Sequence, residues 1–586
     1  MIKKIIKGRL FTLACLIMAL PSSGQGLVST YEKSNHLETS TYEEGMAFFH
    51  ALAEKHPEVQ LIEEGPTDSG YPLNVVLISR SKNFNIQQLK KEGKAVFLIN
   101  NAIHAGEPDG VEASQMLARD LLENKKMSRL LDNTVIAIIP FYNIGGVLNR
   151  NSGSRVNQNG PKEYGFRGNA RNFDLNRDFI KTDTRNARNF SELFQKLDPD
   201  VFVDTHVSNG ADYQYIATTI ATQNDKLGGP LADYMKKEML PFHYEFMKEA
   251  GTEMTPYVNI WGMSTPDMGY SEFIDLPRYS SGYAALFNTP GFISETHMLK
   301  TFEQRVEATY NYLLGLITFT NTNGKEIINL RNETKRQIAE QKEFVVSWKL
   351  NDKECDSILF KGYEAERPVS EITGQVRLKY DRARPYEKKI AYYNHYDPDV
   401  TVSRPDYYVV PKGQWPVIER LKWNNIEMEV VKEAREITVE VYHIVSFKTR
   451  EQPFEGHYMH YDVEVEARKE LVQLEPGDVL VPVNQWRNRY IVETLEPQAS
   501  DSFFNWNFFD TILQRKEGFS AYVFEDLALE ILEQHPEIKE ALDIKKKEDI
   551  EFAQNGYAQL MFIYEHSNHN EKAYMRYPIF RYTIEN

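Results

Sequence analysis

Residues 95–107 read Ala95-Val96-Phe97-Leu98-Ile99-Asn100-Asn101-Ala102-Ile103-His104-Ala105-Gly106-Glu107. The apolar run at its start predicts a buried strand. That strand opens into a loop carrying an imidazole and a carboxylate three residues apart. At the mouth of a strand, two such side chains can grip one metal ion together.

The same alternation continues on either side. Leu73 to Ser79, Thr134 to Phe141, Val201 to Thr205 and Phe292 to Ser294 read as further strands. Gly110 to Glu123 has helical apolar spacing at Val111, Met116, Leu117, Leu121 and Leu122, and Phe302 to Phe319 reads as a closing helix. Strands exchanging with helices from about Ser40 to Thr320 predict an α/β layer fold with a largely buried sheet. Ligand sites in such folds lie beyond the carboxyl ends of strands. His104, His206 and Glu295 all fall at such ends.

A chain of 586 residues exceeds one ordinary core, so more than one domain is expected. Lys3, Lys4, Lys7 and Arg9 precede an apolar run from Leu10 to Leu20, followed by Pro21, Ser22, Ser23 and Gly24. This reads as a signal peptide over residues 1–24, and so as a secreted or periplasmic protein with no membrane span in the mature chain. A retained anchor and a lipoprotein signal at Cys15 are the rival readings. The formal charge of −16 becomes −20 once the leader's four basic residues are gone. So acidic a chain does not favour nucleic acid or anionic membrane. With only Cys15 and Cys355 present, the mature chain holds no internal disulfide and no cysteine-based zinc or CxxC site.

Residues 321–344 read as a polar helical linker and 345–586 as a C-terminal α+β region whose role and partner the sequence leaves open. Within it, Tyr407 to Val410, Trp415 to Trp423 and Ile426 to Val431 read strand, helix, strand. Val479 to Pro482 and Gln485 to Leu495 weakly echo this order, and Ile437 to Tyr442 alternates as a half-exposed strand.

Zinc in a hydrolase takes three protein ligands and leaves a position for water. His104, Glu107 and His206 fit that count, one ion per chain, and Asp204 or Asp109 stands ready to steady a ligand imidazole. Glu295 ends an apolar strand, where a carboxylate would serve as general base. His297 competes from the same strand, since alternation sends both to one face. Asn176 and Arg177, in Asp174-Leu175-Asn176-Arg177-Asp178-Phe179, offer an amide and a planar fork suited to a substrate carboxylate. An ordinary ion pair of Arg177 with Asp174 or Asp178 is the competing reading. The pairs His457/His460 and His566/His569 are read as surface histidines.

Taken in order, His-x-x-Glu, Asp-Leu-Asn-Arg-Asp-Phe, a strand-end His and a strand-end Glu resemble the zinc carboxypeptidases of the carboxypeptidase A type. The resemblance covers about residues 40–320. It implies an α/β/α sandwich around a mixed, usually eight-stranded sheet. It also implies zinc on His104, Glu107 and His206, Glu295 as base, and Asn176 and Arg177 on the terminal carboxylate of a peptide substrate with a free C-terminus. An Arg stabilising the oxyanion is implied as well; Phe166-Arg167-Gly168-Asn169 points to Arg167, with Arg155 and Arg171 as rivals. Of Tyr270, Tyr279 and Tyr283, Tyr279 is taken as the mobile tyrosine over the substrate. Arg278-Tyr279 and the C-terminal extension look more like secreted bacterial members than the animal digestive enzymes. The reading is thus a secreted zinc metallocarboxypeptidase. The alternatives are a zinc amidase or deacylase on the same scaffold, acting on cell-wall peptides or N-acyl amino acids, and an inactive binding module.

Overall fold

The computed structural model describes residues 27–584, so the signal peptide expected at residues 1–24 lies outside the described residues. Among the described residues nine strands precede residue 300: β1 (Val59–Pro66), β2 (Pro72–Ile78), β3 (Ala95–Asn100), β4 (Thr134–Ile139), β5 (Val201–Ser208), β6 (Ala217–Ala221), β7 (Met254–Pro256), β8 (Tyr270–Ser271) and β9 (Gly291–His297). All but β8 join one eight-stranded mixed sheet in the order β1-β2-β4-β3-β5-β9-β6-β7. The centre, β4-β3-β5-β9, is parallel. Every residue of β3, β4 and β5 is buried, as continuous apolar strands covered on both faces must be.

Alternation divides each strand between two cores. Phe97 and Ile99 face a cluster with Phe48, Phe49 and Leu52 of helix Tyr42–Lys55, Leu117 and Leu121 of helix Asp109–Glu123, and Val306 and Leu313 of helix Phe302–Glu340. Val96 and Leu98 face the other way, onto Phe190, Leu193 and Phe194 of helix Arg185–Leu197 and Tyr283 and Leu286 of helix Ser280–Leu286. This is the expected α/β/α sandwich.

The second core does not stop at the sheet region. It continues without a break through Tyr408, Val481, Tyr490, Phe504, Trp506 and Tyr577. The C-terminal region therefore supplies part of the cover for one face of the eight-stranded sheet. Residues 321–344, expected as a linker, are mostly the second half of the long helix Phe302–Glu340, which buries Ile327, Arg331, Thr334 and Ile338. Arg331 donates to Asp198 at 2.8 Å and also to Asp200, pinning that half of the helix to the residues just before β5. A strand, Glu343–Leu350, then begins the C-terminal region.

That region holds a six-stranded antiparallel sheet, including Tyr407–Val410, Arg435–Thr449, His460–Leu474 and Val479–Pro482. The helices expected here are Trp415–Trp423 and Asn488–Leu495, while only Glu429–Val430 of the strand expected at 426–431 forms. Among the described residues no helix is long and apolar enough to cross a membrane. Cys355 is free and exposed.

Candidate metal centre and cleft

His104 and Glu107 follow β3 in the loop leading to helix Asp109–Glu123, and Asn143 fixes that loop by donating to the Ile103 carbonyl. Gly106 sits where a Cβ would lie 2.7 Å from Arg155 Cδ, so only glycine lets the Arg155 chain cross to Glu107. His206 lies near the end of β5, directly opposite Glu295 of β9 in the parallel register. Three neighbouring strand ends thus deliver the site, as the sheet topology predicts.

Among the described residues, His104, Glu107 and His206 are the one group of three His, Cys, Asp or Glu side chains able to share a cation. All three are buried. His104 Nδ1 is 3.2 Å from Glu107 Oε1, His206 Nδ1 is 3.3 Å from Glu107 Oε2, and the two Nδ1 atoms are 3.2 Å apart. Those separations match the roughly 3.3 Å edge of a tetrahedron with bonds of about 2.0 Å, the length of a zinc–nitrogen bond. Two imidazole nitrogens facing each other and one carboxylate share a proton poorly and a divalent cation well, so the donor set fits zinc.

The outer nitrogens are held by carboxylates. His206 Nε2 pairs with Asp204 Oδ2 at 2.9 Å, and His104 Nε2 with Asp174 Oδ1 at 2.9 Å. Such partners fix the ring orientation and leave Nδ1 free to ligate. Asp109 does neither; it is locked between Thr296 and the buried Arg305. Burial opposes charge on Glu107, yet His104 and Arg155 outweigh it and hold that carboxyl well below its usual range. Burial likewise disfavours a charged His206, but Asp204 and Glu107 outweigh it and raise its pKa well above the ordinary value.

Eight residues read from the sequence as metal ligands, base or substrate contacts line one cleft of about 350 Å³: His104, Glu107, Arg167, Asn176, Arg177, His206, Tyr279 and Glu295. Burial, reinforced by Glu107, pushes the Glu295 carboxyl up to about 7 against the pull of His206, Arg155 and Arg167. The competing His297 turns away, with Nε2 at the Ala211 carbonyl and Nδ1 accepting from the Leu299 amide. Arg177 lies with its guanidinium 4.6 Å from the centre of the Tyr279 ring, a cation–π contact. Its nearest Asp174 oxygen is 3.9 Å away, too far for a hydrogen bond. Asn176 accepts from the Ser280 amide at 3.3 Å, which ties the two segments together.

Arg155 also lines the cleft, but its donors are taken by Glu107, Gln158 and the Val207 carbonyl. Arg167 pairs with Asp174 and leaves 44% of its side chain exposed. Arg171 lies outside the lining, bonded to the Asp183 carbonyl. Tyr270 and Tyr283 are buried and bonded elsewhere, to the Pro256 carbonyl and to Asn424. Sequence reasoning missed Tyr257, Asn259, Trp261 and Phe273 in the lining, as well as Asp174 behind His104.

A carboxylate-backed His/Glu/His set beside a glutamate, an arginine and an asparagine, at the end of a mixed α/β sheet, is the arrangement of a metallopeptidase. Residues 46–248 match the family model described as zinc carboxypeptidase, peptidase M14, and over that stretch the chain is similar to the zinc metallocarboxypeptidases. Carboxypeptidase 2 of Trichophyton rubrum is 24% identical over 423 residues, covering 69% of this chain and 72% of its own. Carboxypeptidase 2 of Trichophyton equinum is 22% identical over 453 residues, covering 75% and 78%. The crystal structure of a metallo-carboxypeptidase from Burkholderia cenocepacia overlaps 48% of this chain and 70% of its own, at 16% identity and a TM-score of 0.37. These curated relatives are fungal, so the expected kinship with secreted bacterial members is not borne out by them. The 69% matched to the T. rubrum protein is longer than residues 1–344 of this 586-residue chain, so the likeness reaches into the C-terminal region.

Proposed function

We propose that the chain removes the C-terminal residue from peptides that end in a free carboxylate, with His104, Glu107 and His206 holding one zinc ion and Glu295 as general base. The meeting of the metal donors, Glu295 and the Asn176–Arg177 pair in one cleft carries this reading. When bound, zinc supplies a Lewis acid that polarises a carbonyl and acidifies water. Glu295 takes the proton of the attacking water and returns it to the leaving amine. Arg177 receives the substrate carboxylate through its planar fork, and Asn176 adds an amide donor. Tyr279, stacked on Arg177, keeps the guanidinium facing the cleft and closes that end of it. Arg167, with free surface toward substrate, stabilises the developing oxyanion, whereas the donors of Arg155 are already engaged.

The remaining wall mixes Ile220, Ile293, Tyr257, Phe273 and Trp261 with Ser208, Asn209 and Asn259, so a terminal side chain would meet both apolar or aromatic surface and polar groups. Export through residues 1–24 belongs to the same proposal and is checked by assaying culture medium against cell extract. The decisive experiment is mass spectrometry of products from paired peptides with free and amidated ends, before and after chelation and zinc readdition. Stepwise loss of single terminal residues, restricted to free ends and restored by zinc, is the expected result. Equal cleavage of amidated peptides overturns the assignment of Arg177.

A further inference from the structure

Both segments that frame the proposed carboxylate subsite are held from outside the sheet region. The first, residues 173–183, carries Asn176 and Arg177. Its Asp174 amide donates to Glu455 Oε2 at 2.8 Å. His457 pairs with Asp183 at 2.7 Å, and Arg420 donates to the Lys181 and Thr182 carbonyls. The second segment carries Tyr279. Next to it, buried Arg278 is gripped by Asp501, which accepts from the Arg278 amide at 2.8 Å and lies 2.7 Å from its Nη2. Trp506 and Phe454 pack over the same guanidinium.

The holding loop is itself built for this contact. Residues 450–459 join the long strands Arg435–Thr449 and His460–Leu474. At its tip Glu455 and Gly456 both have positive φ, 50° and 83°. A Cβ on Gly456 would stand 3.3 Å from the Phe173 ring, so glycine permits the tip to lie against residue 173. Phe454 stacks on Trp506, which braces the loop from behind. Asp174 caps the short helical turn Leu175–Arg177, its Oδ1 accepting from the Asn176 amide at 2.9 Å, so the tip that holds the Asp174 amide also sets the turn that carries Asn176 and Arg177.

We propose that the C-terminal region is a working part of the substrate-carboxylate subsite: Glu455 and Asp501 are positioning residues that set Arg177 and Tyr279 relative to the metal centre. This rests on the reading of Arg177 as the carboxylate receptor. An arginine that binds the carboxylate equally in ground and transition states governs KM more than kcat. Misplacing it by a fraction of an ångström therefore appears as weaker binding of free-ended peptides.

The test uses the full-length zinc-loaded enzyme and a peptide pair with free and amidated ends. Glu455→Ala is expected to raise KM for the free-ended peptide about tenfold, with kcat within about twofold and zinc content unchanged. Glu455→Gln keeps an acceptor for the Asp174 amide and is expected to restore wild-type KM. Asp501→Asn is expected to raise KM in the same way; should it not fold, the Glu455 pair decides alone. Arg177→Ala is the reference. If Arg177→Ala leaves the preference for free ends intact, the receptor reading fails and this inference falls with it. If Arg177→Ala abolishes the preference while Glu455→Ala keeps wild-type KM, or lowers kcat without moving KM, the positioning role alone is overturned.

Discussion

The sheet region and the C-terminal region each set histidines against aspartates, and among the described residues only the sheet region brings them to a candidate metal site. In the sheet region His104 and His206 are backed by Asp174 and Asp204, and both front nitrogens converge on Glu107. In the C-terminal region His457 and His460 are backed by Asp183 and Asp510, but their fronts diverge. His457 packs against Trp506 and Phe508, and His460 Nδ1 bonds Thr449. An aspartate behind an imidazole is therefore not the mark of a ligand. The mark is origin on neighbouring parallel strands, β3 and β5, whose carboxyl ends lie side by side. Two histidines three residues apart around the start of one hairpin strand have no such geometry.

The largest effects should fall on the convergent set. His206→Ala and Glu295→Gln are each expected to lower kcat by about 10²–10⁴-fold. Metal analysis then separates them: the first loses zinc and the second retains it. His457→Ala should leave zinc content at the wild-type level, and a loss there would erase the contrast between the regions. Next in size is a pair of aspartates that sequence alone treats as equivalent. Asp109→Ala leaves Arg305 buried without its partner and should cost about 3–5 kcal/mol in stability, read by denaturant unfolding. Asp204→Ala should instead weaken zinc affinity about 10–100-fold in a competition titration. Identical behaviour of the two variants in both assays would show that Asp204 has no special hold on His206.

How much of this could be read from the chain depended on whether the signal was local. β3, β4, β5 and β9 were legible because central strands are unbroken apolar runs, and His104, His206 and Glu295 because they sit at or just beyond the ends of β3, β5 and β9; Asn176 and Arg177 lie in the short helical turn Leu175–Arg177 and were legible only through their own motif. β1 was missed because its burial is patchy, and β6 because Ala217-Thr218-Thr219-Ile220-Ala221 carries little apolar contrast. Helix Arg185–Leu197 did carry a signal, with Phe190, Leu193, Phe194 and Leu197 at helical spacing amid polar residues. The buried half of helix Phe302–Glu340 was hidden by Arg331, a charge that reads as surface until Asp198 and Asp200 are seen beside it. The contact of Asp174 with His104 spans 70 residues, and that with Glu455 spans 281. Nothing in the local pattern announces either one. The same holds for the shared core, since each half of it reads as an ordinary apolar face.

A third kind of imidazole sharpens the comparison and carries the smallest expected effect. His243 is fully buried against Tyr312 and Gly315, and neither ring nitrogen has a hydrogen-bond partner. With no carboxylate behind it, burial alone pulls its pKa down from 6.5 to about 3. The folded protein then binds fewer protons than the unfolded chain between those values. Stability from this site is complete above about pH 6.5 and drains away as pH falls toward 3. At pH 5 the loss amounts to about 2 kcal/mol at most. His243→Met, similar in bulk and unable to titrate, should unfold with a shallower dependence on pH between 5 and 8 than the parent chain. Parallel curves for the two proteins would mean that His243 finds a proton partner in solution, and that burial without a carboxylate does not set its charge.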